Sequence, residues 1–149
     1  LVGNHRYRNQ ELNESGFRSY FREHNTAFTL LEPLATYESA AVAREMVEGL
    51  FRDHPEMCGL FVSGGGITGA LAALRDVPKR RDFVAVGYEL FEATRDALID
   101  GTLKMVISPP LDRSARPPIE TLVRAKKAGP EAGAQRVALG FEIHTSENV

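Results

Sequence analysis

The alternation of helical and strand-like patterns from residue 10 onward is what most limits the folds open to this chain. Leu12, Gly16, Phe17, Tyr20 and Phe21 share a helical face between Gln10 and His24, and a short apolar strand is expected at 28–31. Val42, Met46, Val47, Leu50 and Phe51 mark a second helix that His54-Pro55 ends, and a buried strand is expected at 59–62. Ile67, Ala70, Leu71 and Leu74 give a third helix stopped by Pro78, with a strand at 83–86. A short helix over 91–100 closes on Gly101, placed where a left-handed residue is wanted, and a strand at 103–107 follows. Helical periods interleaved with short apolar runs build a parallel sheet covered by its own crossover helices. The expected fold class is α/β, an open, mostly parallel sheet with helices on both faces, Rossmann-like in its lobe.

Beyond Ser108-Pro109-Pro110 the pattern changes. Ile119, Leu122 and Val123 mark one more helix, expected to start at or kink around Pro117 because proline lacks the amide donor and crowds the preceding turn. The last strand is expected within 137–143.

A length of 149 residues suits one core, and 43% hydrophobic with 26% charged residues is an ordinary globular composition. The net charge of -2 argues against a nucleic-acid surface on this segment, since phosphate neutralisation needs clustered cations. The run Lys79, Arg80, Arg81 reads as a complement to a helix C-terminus. Cys58 is the one cysteine, expected to be buried and inert, so neither a disulfide framework nor a thiolate metal site can be assembled. The four histidines share no ligand spacing, and no G-x-S-x-G elbow presents Ser63 as a nucleophile. No catalytic constellation, metal or cofactor is expected.

In open parallel sheets ligands bind beyond the carboxyl ends of the strands. That rule selects Ser63 and Gly64 after the strand at 59–62, Tyr88, Glu89 and Phe91 after the next, and Ser108 and Pro109 after the third; Pro33 and Tyr37 follow the run at 28–31. A carboxylate, hydroxyls and aromatic rings at one edge suit a small polar ligand with an apolar side. Glu89 can accept hydrogen bonds from two ligand hydroxyls, or it can simply complement a helix N-terminus. Gly64, Gly66 and Gly69 also match the dinucleotide fingerprint G-x-G-x-x-G. They sit in the third strand–helix unit rather than the first, and no second mononucleotide half follows, so they are read as a tight turn.

Several segments in order then resemble the effector-binding domain of lac-repressor (LacI/GalR) type transcription regulators, whose fold is that of periplasmic sugar-binding proteins. Asn13-Glu14-Ser15-Gly16-Phe17 is similar to the family's "R…GF" stretch, Val84 to Glu89 to its "vvGyD" strand end, and Ala97-Leu98-Ile99-Asp100-Gly101 with Val106-Ile107 to its "aldG…vI" stretch. The resemblance covers nearly the whole chain through individually loose motifs. It implies that Glu89 stands at the family's ligand-binding aspartate, Ser63 at its asparagine, Asn13 at its usual arginine and Pro109 at a position often held by glutamine. The implied ligand site is Glu89, Ser63, Asn13, Tyr88, Phe91 and Pro109. With three of the four polar positions changed, the ligand need not be an ordinary pentose or hexose.

The same resemblance implies a division into 1–107, most of the C-terminal lobe; 108–129, a crossover and helix belonging to the other lobe; and 130–149, a returning strand. It implies a cytoplasmic, homodimeric, non-enzymatic sensor of a sugar-like effector, with operator DNA bound through a separate N-terminal helix-turn-helix head. The apolar stripe of the 117–127 helix would then need another partner, and self-association of the segment alone is expected. A periplasmic solute-binding protein of a sugar transporter is the alternative on the same fold, and a nucleotide-binding enzyme the distant one.

Overall fold

The apolar runs pair as strands, and their side chains divide the sheet into two unlike faces. The computed structural model describes residues 1–24, 27–78, 82–110, 114–129, 133, 137 and 140–149. Strands β1 (Gly59–Val62), β2 (Val84–Tyr88) and β3 (Met105–Ser108) lie side by side in parallel, and β4 (Glu142–His144) runs antiparallel along β3. The first residues extend the sheet past β1. The Leu1 nitrogen donates to the Phe61 carbonyl, the Ser63 N–H donates to the Leu1 carbonyl, and Val2 forms a parallel bridge with Ala35. Across the sheet the order is therefore 34–36, 1–2, β1, β2, β3, β4. The progression reverses between 1–2 and β1, which is the switch point where open α/β sheets leave a crevice.

Alternation along the strands sets the layers. Leu60, Val62, Ala85 and Val106 are buried in one core with Ala43 and Val47 of α2 (Ala40–Asp53), Leu71 and Leu74 of α3 (Ile67–Asp76), and Ala97 and Leu98 of α4 (Glu92–Ile99). Phe61, between Leu60 and Val62, points to the opposite face and stacks on Phe17 of α1 (Arg8–His24) with ring centroids 5.4 Å apart. Helices thus cover both faces, as the alternating pattern implied. Helix α2 starts at Ser39, whose hydroxyl accepts from the Val42 N–H at 3.4 Å. It meets α3 where small residues clear the way: a Cβ placed on Gly69 would lie 1.7 Å from the Ala40 carbonyl oxygen. Gly101 ends α4 at φ 77°, the left-handed stop expected of it.

Helix α5 (Arg116–Ala128) carries Pro117 within its first turn, where the missing N–H costs no helical bond, so the conflict read at 117–118 resolves as a helix start. None of its residues is buried, and Ile119, Leu122 and Val123 are exposed. Among the described residues no helix is long and apolar enough to cross a membrane.

Two expectations are corrected. Residues 28–31 form no strand. The ladder is taken up by 34–36, just past the donor-less Pro33, while Phe28 turns edge-on to Phe21 of α1 at 6.1 Å. Cys58 is half-buried rather than enclosed. Of the strand expected at 137–143, residues 142 and 143 lie in β4, 137, 140 and 141 form no strand, and 138–139 lie outside the described residues, as do Lys79, Arg80 and Arg81.

Candidate functional site

A cavity of about 370 Å³ opens at the carboxyl edge of the parallel strands, on the switch point. Each strand end contributes to it. Ser63 and the glycine turn 64–66 follow β1, Tyr88, Glu89 and Phe91 follow β2, Glu38 follows 34–36, and Asn9 and Gln10 project from the first turn of α1. Convergence of loops from neighbouring parallel strands with a helix start is what the topology predicts for a ligand crevice.

The loop bearing Glu89 is pinned from several sides. Glu89 holds a left-handed backbone at φ 71°, with its N–H donating to the Ile107 carbonyl at 2.8 Å. The buried Thr94 hydroxyl accepts from the Phe91 N–H and donates toward the Glu89 carbonyl, both at 2.9 Å. From β3, the buried Ser108 hydroxyl accepts from the Leu90 N–H at 3.1 Å. A non-glycine residue in this region costs of order 1–3 kcal/mol and persists where its surroundings over-determine it. Thr94→Val keeps the shape of the residue but strands one N–H and one carbonyl. The expected result is about 1–3 kcal/mol less stability in a urea titration. A variant as stable as the parent would show that Thr94 does not hold this loop.

Glu38, also left-handed at φ 62°, reaches across the strand ends. One of its carboxylate oxygens accepts from Gln10 Nε2 at 3.1 Å, and Gln10 Oε1 in turn accepts from the Asn4 N–H at 2.8 Å. Gly3 and Gly65 leave room for that carboxylate, since a Cβ on Gly65 would stand 1.7 Å from Glu38 Oε2 and one on Gly3 2.0 Å from Oε1. This cradle also disposes of the dinucleotide reading. The glycine turn is overlaid by a carboxylate, which repels a phosphate; Thr36 Oγ1 donates to the Gly65 carbonyl at 2.7 Å; and Gly69 is spent on helix packing.

Of the six residues singled out by sequence, Ser63, Tyr88, Glu89 and Phe91 come together on the cavity wall. Ser63 donates its hydroxyl proton to the Leu1 carbonyl at 3.2 Å, so toward a ligand its oxygen is left to accept. Asn13 and Pro109 are not among the lining residues. Asn13 lies one turn beyond Asn9 on the sheet-facing side of α1, with its Nδ2 buried and without a hydrogen-bond partner among the described residues. The half-buried Pro109 offers its carbonyl to Ser108 Oγ at 3.2 Å. Sequence reasoning missed Asn9, Gln10 and Glu38. The signal for Glu38 was the strand after Pro33: once 34–36 is the strand, its carboxyl edge is Tyr37 and Glu38. Among the described residues no cluster of three or more His, Cys, Asp or Glu side chains is placed to hold a metal.

The architecture is shared with proteins of known structure. A sugar-binding protein of a sugar transporter from Bacillus halodurans superimposes with a TM-score of 0.81 at 16% identity, covering 99% of this chain and 54% of that one. A transporter solute-binding protein from Burkholderia graminis, in complex with D-arabinose, gives 0.80 at 19% identity over 99% of this chain and 52% of its own. One from Agrobacterium vitis with bound D-fucose gives 0.76 at 18%, covering 93% and 48%. At these identities the likeness is one of fold, and the chain spans about half the length of each. Comparison with curated protein sequences gave no match. The family model described as a periplasmic binding protein domain matches residues 1–130. The chain, whose open α/β sheet carries its crevice at the topological switch point, therefore belongs to the periplasmic binding protein domain family.

Proposed function

We propose that this chain supplies one wall of a sugar-type ligand site in a solute-binding protein serving a transporter. The observation that carries the reading is the cavity at the switch point, where Glu89 and Glu38 offer acceptors to hydroxyls and Tyr88 and Phe91 offer aromatic faces. The structural neighbours, solute-binding proteins with bound sugars among them, support a transport role ahead of a regulatory one. Glu89, Ser63, Tyr88 and Phe91 are the proposed contacts from the sequence reading, joined by Glu38 and Gln10. The chain binds without performing chemistry on its ligand. Helix α5 belongs to a second lobe, which accounts for its having no buried residue.

A second reading uses the same cavity. The motif strings at 84–89 and 94–101 resemble those of lac-repressor type regulators, in which case the ligand is an effector and a separate head binds DNA as a homodimer in the cytoplasm. The two readings part at the coding sequence upstream of Leu1, where a secretion signal supports transport and a helix-turn-helix supports regulation. Ligand binding is tested by calorimetry and thermal unfolding of the intact protein against a series of pentoses, hexoses and inositols. A true ligand at a hundred times its Kd raises stability by about 2.7 kcal/mol. No binder in the series or among its amine counterparts, or binding of NAD in its place, would overturn the proposal.

A further inference from the structure

Glu38 and Glu89 are the charged residues on the cavity wall, and no Lys, Arg or His is among its lining residues. Neither carboxylate is in an ion pair with a described residue. The hydrogen-bond donor that meets Glu38 is the neutral amide of Gln10. Gly3 and Gly65 hold open the space into which the Glu38 carboxylate reaches.

Both carboxylates are exposed on the open cavity, and a ligand that displaces water from around them leaves each without its hydration unless it supplies a partner. A neutral polyol can donate hydrogen bonds to both carboxylates, yet it leaves their charges uncompensated. A ligand bearing an ammonium group offsets both charges and gains charge-assisted hydrogen bonds. The remaining wall suits the same chemistry, because Tyr88 and Phe91, aromatic rings of the kind that attract a cation, line the same cavity. A metal ion is a poorer match: a hard cation takes six or more oxygen ligands, and no third acidic, His or Cys side chain joins this pair among the described residues.

We infer that the cavity is selective for a hydroxylated amine, such as an amino sugar, with Glu38 and Glu89 together as its counter-charge. The inference rests on the sugar-type reading above and narrows it.

The test is calorimetry on the intact protein with matched probes at neutral pH: glucosamine against glucose, galactosamine against galactose, and N-acetylglucosamine, which keeps the ring but loses the charge. The amine is expected to bind about tenfold or more tightly than its neutral counterpart in at least one pair, a difference of about 1.4 kcal/mol. N-acetylglucosamine should fall to the neutral level. Glu38→Gln and Glu89→Gln, nearly isosteric, should each weaken the amine more than its neutral counterpart, erasing most of the amine's advantage. Equal or tighter binding of the neutral sugars overturns the selectivity and leaves the sugar-type reading standing. Failure of every probe in both series overturns that reading as well. Retention of the amine's advantage in both Gln variants would show that its counter-charge lies elsewhere.

Discussion

Gly69→Ala is expected to be among the most destabilising single-methyl additions in this chain, at about 3 kcal/mol, the upper end of the usual cost of overpacking. The added Cβ would lie 1.7 Å from the Ala40 carbonyl oxygen and 2.8 Å from its Cα, so relief requires moving the backbone where α2 begins. That start is also where Ser39 caps the helix and where Ala43 packs in the core. Gly65→Ala makes a clash of the same nominal size, 1.7 Å, but against the far end of the Glu38 side chain, which can swing away. Its expected cost in stability is about 1 kcal/mol or less, and its larger effect falls on ligand affinity through the displaced carboxylate. Urea titrations of both variants decide the matter, with the Gly69 variant melting roughly 10 °C lower than the parent in a thermal scan. Equal stabilities for the two would contradict the close approach of α2 and α3.

Glu89→Gly is expected to move stability and binding in opposite directions. At φ 71° the residue sits in the left-handed region, which costs an L-residue about 1–2 kcal/mol, while glycine gives back about 0.5–1 kcal/mol through its greater unfolded-state freedom. The fold should gain up to about 1 kcal/mol. Loss of a charged acceptor facing the ligand should cost about 1.5–3 kcal/mol of binding, roughly tenfold or more in Kd. Glu89→Ala keeps the strained backbone and loses the carboxylate, so it should show the binding loss without the stability gain. A Gly variant that binds as well as the parent would remove Glu89 from the site. One that is less stable would show that its side chain supports the fold rather than the ligand.

The parts of this molecule that could be read in its sequence are those where the physics is local and repeated. Val42, Val47 and Phe51 of α2, Leu60 and Val62 of β1, and Ile67, Leu71 and Leu74 of α3 keep the period of their element, and Gly101 and Pro117 mark a helix end and a helix start. The order of these elements then implied a parallel sheet, and the sheet implied which loops face a ligand. Four of the six candidate residues were placed on the cavity by that rule alone.

What escaped was carried by single residues or by distant partners. The two outer strand positions rest on Val2 and Ala35, too short to have a period, and the apolar run at 28–31 drew attention away from them. Misplacing that strand misplaced its carboxyl edge, and with it Glu38. Nothing local announces that Tyr37, Glu38 and Glu89 adopt positive φ, or that Gly3 and Gly65 exist to admit one carboxylate. Asn13 was chosen by likeness to a motif, whereas the crevice meets α1 one turn earlier, at Asn9 and Gln10.

The site assignment is tested most directly by mapping where a bound ligand perturbs the backbone. Amide chemical shifts of the intact, isotopically labelled protein would be followed during titration with the tightest-binding sugar or amino sugar from the series above. The largest changes are expected at Gln10, Glu38, at 63–68 and at 88–91, with the amides of α5 outside that set. Changes centred on α5 or on the exposed side of α1, with 63–68 and 88–91 unmoved, would contradict a binding site at the switch point of this sheet.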